Sequence, residues 1–294
     1  MPPNAPASPL PSRSFADHRR GVLLLALSAL IFTVEVALVR AVGARATPEQ
    51  VVFCRAFAQL VLVLGWFVWT GRWSLLRTER PDLHLARGVA SITSWWFYYK
   101  SFLSLDLALA TTLTFTSQLF VVAFAGPVLG ERVGLRRAGL AALGFAGVVV
   151  VTGIGTVGFD PTVLYGLFSA VVGAAIIFLS RALTRTETTP AILFYIGVMT
   201  TLAAGAALLA RPAPIAAFDL ALISLAGALG AIGMGVMIEA YRAGEVSALA
   251  PVPYLRLVFA LAIGFLAFGE APTWTTLVGA AIIVAAALGA GRKG

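Results

Sequence analysis

Residues 120–151 read FVVAFAGPVLGERVGLRRAGLAALGFAGVVVV, and residues 259–291 read FALAIGFLAFGEAPTWTTLVGAAIIVAAALGAG. Each opens on an apolar run, breaks at a Gly-Glu pair and resumes as a second apolar run rich in small residues. A shift of 139 residues lays Gly130-Glu131 on Gly269-Glu270, Phe120 on Phe259 and Ala123 on Ala262. The same shift carries back to set Phe102 on Tyr241 and Asp106 on Glu245. One more residue of offset brings Gly139 onto Gly279, and near the start of each half Arg40 with Pro48 answers Arg181 with Pro190 at offsets of 141 and 142. The chain reads as one unit written twice.

The solvent of that unit is lipid. Of 294 residues, 60% are apolar and 12% charged, against roughly 45–50% and about 25% in soluble domains. A helix needs about 20 apolar residues to cross roughly 30 Å of hydrocarbon. Runs of that length fall at 21–42, 50–70, 84–103, 107–129, 136–155, 162–183, 189–210, 219–241, 246–268 and 273–291, which predicts ten helices and leaves no room for a soluble domain. Residues 1–16, MPPNAPASPLPSRSFA, have no apolar stripe and predict a disordered tail. The run after Arg19-Arg20 continues past any signal-peptide core with no clean small-residue cleavage site, so it reads as an uncleaved first helix. The expected organisation is a cytoplasmic tail over 1–20, a first five-helix repeat over 21–155, a second over 156–291 and a short cytoplasmic end at 292–294.

The formal charge of +8 does not point to nucleic acid, because the basic residues stand singly between apolar runs instead of forming a stripe. They read as topology signals. With the N-terminus inside, fifteen Lys and Arg fall at inner segments and four at outer ones, namely Arg40, Arg45, Lys100 and Arg211. The excess puts both termini in the cytoplasm. Five helices per half is an odd number, so the halves must lie inverted in the membrane, an arrangement suited to alternating access. Glu131 then ends its helix inside and Glu270 outside. One cysteine cannot form an intrachain disulfide, and His18 and His84 are too few for a metal site, so no metal and no cofactor are expected.

With two five-helix halves that each close on the apolar run, Gly-Glu pair and small-residue helix quoted above, residues 21–291 are similar to the EamA family of the drug/metabolite transporter superfamily. The resemblance implies an all-α, multi-pass protein of the bacterial inner membrane, with ten helices around a central cavity. It also implies a transporter of small molecules, its bacterial relatives exporting amino acids, aromatic ones among them, and similar metabolites. One complete ten-helix unit can be sufficient as a monomer, and the sequence leaves the oligomeric state open. The halves differ where the first has Thr112-Leu113-Thr114 and the second Pro251-Val252-Pro253, so a proline-broken helix is expected only in the second.

Polarity at helical spacing marks the cavity candidates. Thr111, Thr114 and Gln118 make one polar stripe along the fourth helix, although serines and threonines also serve as packing glue between helices. Ser91, Ser94, Trp95 and Tyr98 share a face of the third helix. Rings there can stack on an apolar or aromatic solute or form an interfacial belt. Pro251 and Pro253 free backbone carbonyls around Tyr254 and Arg256, and an intramembrane arginine either holds a substrate carboxylate or closes an internal pair.

Glu35, Arg55 and Lys100 fall at similar depth and form a candidate charge cluster, in which Glu35 either exchanges a proton or stays ionised beside Arg55. His18 and His84 are expected to be solvated, and Cys54 to be packing. The leading reading is an amino-acid exporter. A nucleotide-sugar or phosphate-ester carrier is the alternative within the transporter class. A membrane-embedded enzyme lacks a convincing nucleophile, metal set or carboxylate pair.

Overall fold

Helix ends fall where local chemistry stops them. Thr47 caps the second helix reciprocally: its hydroxyl accepts from the Gln50 amide at 3.3 Å while the Gln50 side chain accepts from the Thr47 amide at 2.8 Å, and Pro48 follows at the first helical position. The glycine of each Gly-Glu pair has the same physical cause. Gly130 and Gly269 end their helices in the left-handed region, with φ of +71° and +68°, a conformation glycine adopts without a Cβ clash.

The computed structural model describes residues 15–104, 113–152, 162–210, 212–269 and 272–290. Among them run α1 (Phe15–Val42), α2 (Pro48–Thr70), α3 (Pro81–Ser104), α4 (Ser117–Leu129), α5 (Leu135–Thr152), α6 (Val163–Leu183), α7 (Thr189–Ala210), α8 (Ala217–Ala243), α9 (Leu255–Phe268) and α10 (Trp274–Ala290). No strand occurs among the described residues. By length and composition, six helices can cross a membrane: α1, α2, α6, α7, α8 and the run Val246–Ala267; the apolar helices Leu113–Leu129 and Trp274–Ala290 are shorter. Leu209, Trp69 and Leu266 are each more than 80% exposed, a surface that belongs in hydrocarbon and would aggregate in water. The protein is a multi-pass, all-helical membrane protein.

The second half breaks as expected at its prolines: a one-turn helix, Val246–Leu249, and a 3-10 turn, Val252–Tyr254, precede α9. The first half also breaks, at a single turn residue, Thr116, whose hydroxyl donates to the Leu113 carbonyl at 2.5 Å. The N-terminal boundary differs from expectation as well. α1 begins at Phe15, so Arg19 and Arg20 belong to its first turns and not to a tail.

The largest interfaces are α1–α8, α5–α10, α3–α6 and α2–α7, followed by α2–α8, α4–α6 and α1–α9. Exchanging the halves (α1 for α6, α2 for α7, and so on) turns α1–α8 into α6–α3 and α4–α6 into α9–α1, and leaves α2–α7 and α5–α10 unchanged. The packing is therefore two-fold in pattern. A core of Leu25, Val121, Ala125, Phe178, Tyr241 and Leu249 fills the end of the bundle that holds the start of α1 and the ends of α4, α6 and α8. The site borders this core and shares Leu25 and Tyr241 with it.

Candidate functional site

α8 carries Gly227, Gly230 and Gly233 at every third position, and this ridge lets α1 and α2 approach closely. A Cβ on Gly227 would lie 2.7 Å from the Arg55 Cα, and one on Gly233 3.2 Å from Ile31. The Ser28 hydroxyl donates to the Gly233 carbonyl at 2.8 Å and ties α1 to α8 there. Beside this seam lies a cavity of about 270 Å³, walled by α1, α2, α3, α6, α7 and α8 with contributions from Gln118, Pro253 and Arg256. Its walls are mostly apolar, including Leu25, Phe32, Ile177, Ile196, Met234 and Met237. Three guanidinium groups interrupt them: Arg55, Arg87 and Arg256.

Of the residues read as candidates, Ser91, Gln118, Arg55 and Arg256 meet at this cavity. Glu35, only 2% exposed, forms an ion pair with Arg55, the internal pairing that was one of its two readings. Arg256 is a second cation in electrostatic reach of Glu35, and its guanidinium lies 5.3 Å from the centre of the Phe32 ring. The cluster thus joins α1, α2 and α9.

Other candidates lie elsewhere. Ser94 bonds to α6, its hydroxyl reaching the Ser169 carbonyl at 3.2 Å while Ser169 returns a bond to the Ser94 carbonyl at 2.9 Å. Here serines act as packing glue. Tyr254 is fully buried away from the cavity. Its ring occupies the space left by Gly144, where a Cβ would come within 2.4 Å, and meets Phe115 edge-on at 5.7 Å. Thr114 is exposed. Thr111 lies outside the described residues. Trp95, Tyr98 and Lys100 belong to α3, but their side chains lie outside the description.

The sequence reading missed Arg87, which it counted as an inner-loop cation. Arg87 is 3% exposed. Its Nε donates to the Ser180 hydroxyl at 2.9 Å and its Nη1 to the Ser91 hydroxyl. Both serines in turn donate to the carbonyl one turn back, Arg87 and Ile176, at 2.8 Å each. The signal was available: position 87 falls inside the apolar run 84–103. Arg181, also counted as a loop cation, is buried and donates to the Tyr241 and Arg242 carbonyls, which fastens α6 to the end of α8. Of the two histidines, His84 is not solvated, whereas His18 is half-exposed. His84 is buried, 3.9 Å from Glu187 and 4.2 Å between ring centres from Tyr195, while His18 donates to the Ala290 carbonyl at 2.7 Å.

At the end of α4 and the start of α5, the two halves are latched. The Glu131 carboxylate accepts from the amides of Val246 and Ser247 at 2.9 Å each and from the Ser247 hydroxyl at 2.5 Å, a helix N-terminus capped by a carboxylate of the other half. Arg137 bonds the Ser247 hydroxyl at 3.0 Å and pairs with Glu245. Among the described residues no cluster of His, Cys, Asp or Glu could hold a metal ion.

The model of the EamA-like transporter family matches this chain twice, over residues 19–153 and 160–292. An S-adenosylmethionine uptake transporter of Rickettsia prowazekii is 27% identical over 274 residues, 92% of each chain. A riboflavin transporter of Rhizobium johnstonii is 31% identical over 214 residues, covering 72% of this chain and 71% of the relative. A pseudopaline exporter of Pseudomonas aeruginosa is 27% identical over 276 residues, covering 93% of this chain and 96% of the relative. A solved crystal structure superposes with a TM-score of 0.78 over 95% of this chain and 97% of that one at 21% identity, a likeness of fold.

Proposed function

The chain belongs to the EamA-like transporter family, and from that membership we propose that it moves small amphipathic organic solutes across the bacterial inner membrane by alternating access. Amino acids with aromatic or hydrophobic side chains are the class we favour. The observation that carries this reading is the composition of the cavity, apolar walls interrupted by guanidinium groups. Apolar walls reward buried ring and alkyl area at about 25 cal/mol per Å², and a guanidinium fork holds a carboxylate through two parallel hydrogen bonds. Arg55, Arg256, Ser91 and Gln118 are proposed contacts.

Two of the relatives fit the same division of labour. S-adenosylmethionine joins an amino-acid head to an aromatic base, and riboflavin is built on a flat aromatic ring system. The relatives include proteins named for uptake and for export, so the fold serves both directions, and export is the direction proposed for this chain. Ten crossings in two inverted five-helix halves are the proposed architecture. It is supported by the two separate family matches and by the two-fold pattern of helix contacts. No covalent chemistry is proposed.

Because three guanidinium groups reach one cavity, a phosphate-ester or nucleotide-sugar carrier is the second reading. Counterflow in proteoliposomes separates the two. Vesicles preloaded with unlabelled phenylalanine should accumulate labelled phenylalanine faster than protein-free vesicles, with leucine competing better than alanine and a sugar phosphate not competing. Competition by the sugar phosphate alone would favour the second reading, and absence of flux for either class would overturn the first.

A further inference from the structure

We propose that Arg87, held between the Ser91 and Ser180 hydroxyls, is the anion-binding residue of the cavity and takes the solute's carboxylate. The inference rests on the solute class proposed above and goes further by assigning the anion to one residue. An arginine stays protonated even when buried, and a buried charge costs several kcal/mol unless an opposite charge and hydrogen bonds offset it. The three cavity arginines differ in how that need is met. Arg55 is paired with Glu35, and Arg256 also acts on Glu35. Arg87 bonds only to two neutral hydroxyls, and among the described residues no carboxylate lies within ion-pair distance of it.

The serines explain why the group is stable and yet available. Each hydroxyl sends its own proton to a carbonyl one turn back, so its lone pairs face the guanidinium and fix the plane of the fork. Two of the five N–H donors are used this way. Nη2 has no partner among the described residues, and Arg87 forms part of the cavity wall next to Ile176, Ile177 and Tyr241. Unused donors thus remain on a side chain that belongs to the cavity wall, and Ile176 and Ile177 supply apolar surface to the same wall. A carboxylate on an apolar body matches both features, since the carboxylate supplies the missing charge and the body covers the isoleucines.

The test is direct binding to the full-length protein in detergent with three probes: phenylalanine, N-acetylphenylalanine (carboxylate without ammonium) and phenylalaninamide (ammonium without carboxylate). The wild type should bind the two carboxylates on the order of ten- to a hundred-fold more tightly than the amide, the range expected for hydrogen bonds to a charged group. Arg87→Met should erase that preference while the amide binds as before, and Arg87→Lys should restore part of it. If Arg87→Met does not fold, Ser91→Ala combined with Ser180→Ala keeps the charge and should weaken carboxylate binding several-fold, read as reduced thermal protection by N-acetylphenylalanine. An unchanged carboxylate preference in Arg87→Met, or in the double alanine variant where that must stand in, overturns the assignment alone. If the wild type binds none of the probes, the solute class falls and this assignment with it.

Discussion

Gly230 lies against the carboxylate of Glu35 so closely that a Cβ on the glycine would come within 2.8 Å of Oε1 and 2.9 Å of Cδ. α8 thus gives way at one residue so that a buried carboxylate of α1 can sit beside Arg55 of α2. Gly230→Ala should push that carboxylate away from Arg55, with an overpacking cost of about 1–3 kcal/mol read by thermal unfolding in detergent. A double-mutant cycle with Glu35→Ala gives the decisive number. Removing the carboxylate should remove most of the penalty of the added methyl, because the two changes share one contact. Strictly additive losses would place the methyl's clash elsewhere.

The α5–α10 crossing is controlled by two glycines whose Cβ positions each point at backbone. A Cβ on Gly279 would meet the Gly147 carbonyl at 2.9 Å, and one on Gly147 would meet the Gly279 carbonyl at 3.0 Å. Backbone cannot rotate away, so Gly279→Ala should separate the helices and destabilise the protein by about 1–3 kcal/mol. Gly139 has nothing within 4 Å of its Cβ position. Gly139→Ala should then be neutral or stabilising by up to about 1 kcal/mol, the helix propensity difference. Comparing the two melting temperatures checks both, and equal losses would refute the distinction.

That pair also marks how far the sequence could be read. The repeat aligns Gly139 with Gly279, yet only Gly279 sits at a crossing, since an alignment records ancestry while a close approach depends on which helix lies opposite. The helical segments and the caps at Gly130 and Gly269 were legible because hydrophobic period and backbone chirality are local properties. The ridge Gly227, Gly230 and Gly233 has a regular spacing that was there to be seen, but its meaning lies in α1 and α2, nearly two hundred residues away. Tyr254 went the other way: a tyrosine next to two prolines in a polar-looking break turned out to fill the space over Gly144. Arg87 was counted among loop charges because a charge tally assumes that cations near helix ends are solvated. Its two serine partners lie one turn along on the same helix and on α6, and only packing reveals that they enclose it.

The latch between Glu131 and the 246–247 turn should hold the two halves together. Its carboxylate accepts three hydrogen bonds across the two halves. Glu131→Ala leaves the two amides and the Ser247 hydroxyl without their acceptor and should cost about 1.5–3 kcal/mol, the range for hydrogen bonds to a charged group. Glu131→Gln keeps one carbonyl acceptor and should lose less. Melting temperatures of the two variants check the order, and an Ala variant as stable as the parent would show that the latch contributes nothing.

Orientation in the membrane can be tested without transport. Removing the buried Arg87 and Arg181 from the loop tally lowers the inner count from fifteen to thirteen against four outside, and the bias survives because thirteen loop and terminal cations remain on one side. The expected arrangement has the 71–80 segment in the cytoplasm and the turn before α10 outside. Ser74 and Thr273 are both exposed, while the native Cys54 is buried and should stay silent, or can be replaced by alanine. In intact spheroplasts, a membrane-impermeant maleimide should label Thr273→Cys and should label Ser74→Cys only after permeabilisation. That pattern would put the latch at Glu131 on the cytoplasmic side. The reverse labelling pattern would invert the whole assignment, and labelling of both sites in intact spheroplasts would mean that an odd number of crossings does not separate them.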